Sequence, residues 1–148
     1  MLHCLTDYDA KLLLALNESL KGNRQFTDFF IQNGFPELAA LSAAIHSDTD
    51  ALKWLMNNGF PEFAVLSDAI DNVDSAIEWL DRYNCTFLSK FAAACRKEDE
   101  AIKWFVDNKL DLFIVLIRTI HYILLYQSWD SSDVHCRRKK KKIEIFDL

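Results

Sequence analysis

Four tryptophans, Trp54, Trp79, Trp104 and Trp129, stand 25 residues apart, and flat aromatic faces in such register could stack a sugar or a run of nucleobases. Phe29 holds the position 25 before Trp54, and the column shares a helical face with other apolar positions. Phe29 and the four tryptophans are therefore expected to fill the space between helices. His46 and His121 occupy equivalent turns three units apart, too distant to converge on a metal ion, and solvent is their expected surrounding. His135-Cys136 would supply half a zinc site, but no second pair follows at zinc-finger spacing. The chain has no G-x-S-x-G, P-loop, H-E-x-x-H or glycine-rich phosphate cradle, and its carboxylates fall at expected helix starts and outer faces. The sequence thus predicts no catalytic residue, no cofactor and no metal.

The elements that carry these residues follow from the same period. Five units, 9–33, 34–58, 59–83, 84–108 and 109–133, place large apolar residues at their fifth, eighth and twelfth positions, for example Leu38, Leu41 and Ile45. Spacings of three and four put these on one helical face. The eleventh position, Ser19, Ala44, Ala69, Ala94 and Thr119, is always small, as helices in close contact require. This is helix A of each unit, and helix B centres on the aromatic column. Thr49, Asp74 and Asp99 are the expected N-caps of helix B, where a side-chain oxygen accepts from free backbone N–H groups. Asn33-Gly34 and Asn58-Gly59 end it, and Pro36 and Pro61 open the next helix A. With 51% hydrophobic residues but only three glycines and two prolines in 148, an all-β fold lacks its turn signals. The expected fold is an all-α solenoid of five stacked helix–turn–helix units, between an N-terminal lead-in (1–8) and a C-terminal tail (134–148).

The stretch 43–59, Ala-Ala-Ile-His-Ser-Asp-Thr-Asp-Ala-Leu-Lys-Trp-Leu-Met-Asn-Asn-Gly, resembles the helix–turn–helix part of an ankyrin repeat. Gly22 takes the place of the glycine between the two ankyrin helices, with Ser47, Asn72 and Lys97 in the following units. The resemblance spans residues 9–133 and implies a binding scaffold. Thr-Pro-Leu-His is absent, and a 25-residue unit is eight short of the ankyrin 33, leaving no chain for the β-hairpin fingers. The binding mode of ankyrin proteins therefore does not carry over.

Charge divides the chain. Of 17 Lys+Arg and 22 Asp+Glu, six and two respectively lie in residues 137–148, so the body is net −9 and the tail +4. The six are Arg137, Arg138, Lys139, Lys140, Lys141 and Lys142, read as an exposed run whose favoured active role is a weak contact with the acidic body. Nucleic acid is a disfavoured partner because the body lacks a basic face. Cys4, Cys85, Cys95 and Cys136 are read as reduced thiols of a cytoplasmic protein, and no membrane span is expected. The fifth unit is unusual: Ile117, Tyr122, Ile123, Leu124 and Leu125 replace small or polar residues, and such an apolar end must be covered. Ile143, Ile145 and Phe146 are the expected cover, with a homodimer as the alternative to a monomer. The expected function is non-enzymatic protein–protein interaction. A nucleic-acid-associated role through the tail and a repeat array that is only a stable domain are the alternatives.

Overall fold

Eight short helices fall in the first four units as pairs: α1 (Ala10–Leu20) with α2 (Arg24–Gln32), α3 (Pro36–Ile45) with α4 (Thr49–Asn57), α5 (Pro61–Ile70) with α6 (Asp74–Arg82), and α7 (Thr86–Cys95) with α8 (Asp99–Asp107). The computed structural model describes residues 2–133, with side chains through Gln127. Arg137 to 142, the expected covering residues Ile143, Ile145 and Phe146, and the side chain of Trp129 lie outside the described residues. No strand occurs among the described residues, and the all-α, solenoid-like arrangement expected from the period is present.

Left-handed residues punctuate the chain at the repeat interval. Gly22 (φ 95°), Ser47 (77°), Asn72 (66°) and Lys97 (71°) stand between helices A and B, and Gly34 (87°), Gly59 (89°), Asn84 (57°) and Lys109 (55°) stand between units. Only the glycines adopt this region without a Cβ clash. Lys109→Gly should therefore raise stability by about 1 kcal/mol, read as a higher urea midpoint at unchanged slope.

The N-caps lie one residue earlier than expected. Asp48 accepts from the backbone N–H groups of Asp50 (3.0 Å) and Ala51 (3.2 Å), so Thr49 is the first helical residue rather than the cap. Asp74 and Asp99 likewise begin their helices, after Val73 and Glu98, neither of which makes a side-chain cap bond. The reason is backbone geometry, since the extended conformation a cap needs falls on Asp48, Val73 and Glu98. Asp48→Ala should cost about 1 kcal/mol by chemical unfolding.

The fifth unit is not a helix pair. Residues Asp111–Asp133 form one helix, α9. At the place of the left-handed Gly22, Ser47, Asn72 and Lys97 the fifth unit has Tyr122, and at the capping place of Asp48 it has Ile123. A large aromatic resists the left-handed region and isoleucine offers no oxygen to a free N–H, so the helix runs on through the expected turn.

Each helix A packs on the next, α1 on α3, α3 on α5, α5 on α7 and α7 on α9, while α2, α4, α6 and α8 each pack between successive A helices. The series then closes, because α9 also packs on α1. Thr119 donates a hydrogen bond to Asn17 Oδ1 (2.5 Å), and Gln127 Nε2 donates to the carbonyl of Ile45 at the end of α3 (2.9 Å). Ile117 (5% exposed) and Ile123 (7%), expected to need cover from the tail or a second copy, are buried in the chain's own core cluster.

The core also departs from expectation. The residue after each aromatic of the column, Phe30, Leu55, Leu80 or Phe105, is the fully buried one. Phe29 is 43% exposed, and Trp54, Trp79 and Trp104 are half-buried. A step of one residue turns the helix by about 100°, which places the column at the edge of the buried face and its successor at the centre. The tryptophans differ in surroundings too. Trp54 stacks on Phe60 (6.3 Å, 12°), Trp79 lies against Tyr83 (4.5 Å), and Trp104 carries the Lys90 ammonium 5.2 Å above its ring.

Candidate functional site: a groove beside the long helix

Because α9 has no turn, its second half continues past the C-terminal end of α1. Arg118, Tyr122 and Tyr126 recur every four residues and so share one face of it. Opposite stand Leu20 and Lys21, from the end of α1, and His46, from the turn after α3. With Thr119, Ile123 and Gln127 these residues line a groove of about 660 Å³. Its floor is apolar, formed by the buried side chains of Leu20 and Ile123. On the rim, Tyr122 (65% exposed) and Tyr126 (62%) hold their rings 5.7 Å apart.

The charges around the groove are of one sign. Among the described residues Lys21 and Arg118 line it with His46 beside them, and no carboxylate does. Lys21 Nζ lies 3.4 Å from Glu18, outside the groove, while Arg118 forms no ion pair among the described residues. His46 is fixed from behind: its Nε2 donates to the Leu20 carbonyl (2.7 Å), satisfying a free group at the end of α1. Arg96, two equivalent positions further along, does the same to Ala69 (2.7 Å) and pairs with Glu98 (2.7 Å). The turn position expected to be merely solvated thus ties one unit to the one before it.

His121 belongs to a separate, smaller pocket of about 180 Å³ with Cys95, Arg96, Lys97, Leu124 and Leu125. Burial, then the Lys97 charge, lowers its pKa, so the ring is neutral at pH 7. Among the described residues no three His, Cys, Asp or Glu side chains converge as a metal would require.

At the opposite ends of helices α3 and α5 two first-turn carboxylates are buried rather than solvated. Glu37 and Glu62, each following the proline that opens its helix, are buried and tie down the lead-in. Tyr8 Oη donates to Glu37 Oε2 (2.7 Å), and His3 Nδ1 lies 2.9 Å from Glu62 Oε1. Desolvation, then the Glu37 hydrogen bond, pushes the Tyr8 pKa up. Cys85 shares a pocket with Cys4, and burial followed by the Glu62 charge raises its pKa, so its thiol stays protonated and is a poor nucleophile.

The candidate interaction residues therefore separate. Tyr122 and Ile123 line the larger groove, Leu124 and Leu125 the smaller pocket, and Ile117 is core. Sequence reasoning missed Lys21, Arg118, Tyr126 and Gln127. The available signal was the loss of a turn at Tyr122-Ile123, which makes the i, i+4, i+8 series from Arg118 a continuous face. Among the described residues no helix is long and apolar enough to cross a membrane. No family model, curated protein or solved structure matches this chain.

Proposed function

We propose that this chain is a non-enzymatic repeat scaffold of the cytoplasm, built from short ankyrin-like helical hairpins without fingers, that recognises another protein. The observation that supports the reading is the groove beside α9, an apolar floor under two exposed tyrosines and a rim of one charge sign. Interfaces favour this composition: aromatic anchors over a desolvated floor, bordered by polar groups.

A photo-crosslinking amino acid at Tyr126, in the full chain expressed in its own cell, tests the reading. A discrete protein adduct that is missing when the same probe stands at Lys103, on α8, is the expected result. Adducts of equal kind and yield at both positions would remove the support. The nucleic-acid alternative rests on the basic run 137–142 and predicts an electrophoretic shift with mixed DNA and RNA that disappears when those six residues become Ser.

A further inference from the structure

We infer that the groove beside α9 takes an acidic peptide segment of a partner protein, one that carries an apolar side chain between its carboxylates. The inference rests on the protein-recognition reading above and adds the chemistry of the partner.

Charge complementarity selects this occupant. Among the described residues the charged side chains that line the groove, Lys21 and Arg118, are both basic, with His46 beside them and no carboxylate, in a body whose net charge is −9. A basic ligand finds attraction over most of such a surface and repulsion at this groove. An acidic one meets the reverse, so the groove is where it can be held and oriented. The guanidinium of Arg118 presents paired donors that match a carboxylate, and it is not occupied by a carboxylate of the described residues. The apolar floor of Leu20 and Ile123 takes the side chain between the acidic residues, and the exposed rings of Tyr122 and Tyr126 close over it. A volume of about 660 Å³ suits a few side chains rather than a folded surface. The same charge pattern disfavours the basic run 137–142 as the occupant.

Fluorescence anisotropy with the full chain and a labelled ten-residue peptide of Glu, Asp, Leu and Phe is the test. The expected result is saturable binding, weakened several-fold between 50 and 300 mM salt, and weakened at least tenfold by Lys21→Glu with Arg118→Glu. Both side chains are exposed, and an unchanged helical spectrum checks that the variant folds. Lys103→Glu, remote on α8, should bind as the parent does. No saturation by 1 mM peptide, or equal binding by the Lys21/Arg118 variant, overturns the inference. So does a tenfold gain in peptide affinity on Glu144→Lys with Asp147→Lys, which would assign the groove to the chain's own acidic and apolar residues 143–148. If the Tyr126 crosslink to a partner survives Lys21→Glu with Arg118→Glu, protein recognition stands and the acidic chemistry alone fails.

Discussion

Phe105→Ala should lower the unfolding free energy by about 3–5 kcal/mol, whereas Trp104→Ala, one residue earlier and larger, should cost roughly half as much. Phe105 is fully buried and sits among Phe87 (5.6 Å), Phe91 (6.1 Å) and Phe113 (6.4 Å), the first two edge to face, where α7, α8 and α9 meet. Removing its ring leaves a cavity that the neighbouring rings, two on α7 and one on α9, cannot fill without losing their own geometry. Trp104 is only half-buried: it packs on Phe87 and Phe105 and carries Lys90 over its ring, so water and the lysine stem can occupy much of the vacated space. Urea unfolding of the two variants side by side is the measurement. A larger loss for Trp104→Ala would show that the repeating aromatic, rather than its successor, holds the core.

Above pH 9 the fold should weaken by about 1.4 kcal/mol for each further pH unit through the Cys95 thiol, with a smaller share of the same sign from Cys85. Cys95 is completely buried at the end of α7, and burial drives its pKa far above the ordinary 9.0, against a smaller opposite pull from Arg96. In the unfolded chain the same thiol ionises near its ordinary value. A group whose folded pKa is raised contributes stability that is complete below the unfolded pKa and is lost as pH rises from there toward the folded one. Tyr8, raised by burial and Glu37, acts with the same sign above pH 10. Urea midpoints between pH 7.5 and 10 should fall in the parent chain. In Cys95→Ala they should start lower, because a cavity remains, and fall less steeply over that interval, with Cys85 keeping a smaller share of the same sign. An equally steep decline in the variant would move the effect to another group.

The four helix pairs were legible because their signals are local. Gly34, Gly59, Pro36 and Pro61 act through their own backbone dihedrals, and the fold has no reason to override them. The fifth unit was misread because Trp129 continued the period while Tyr122 and Ile123, which removed the turn, counted only as apolar residues. Recurrence identified the tryptophans, but burial follows from angular position on the helix, and that assigns the core to Phe30, Leu55, Leu80 and Phe105. The contact of α9 with α1 left no local trace. Asn17 and Thr119 are 102 positions apart, and neither is an unusual residue for a helix-packing seam. Without that contact Lys21, His46 and Arg118 belong to unrelated turns, so the groove could not be read from the chain order.

The meeting of α1 and α9 also fixes how many units this architecture can hold. An open helical array grows or shrinks by duplication and deletion, since each added unit meets only its neighbours. Here a sixth pair inserted between α8 and α9 would separate Thr119 from Asn17 and Gln127 from Ile45, and it would take Ile123 away from Leu20. Copy number, the freest variable of a repeat gene, is held at its present value by two hydrogen bonds and the apolar seam between the first helix and the last.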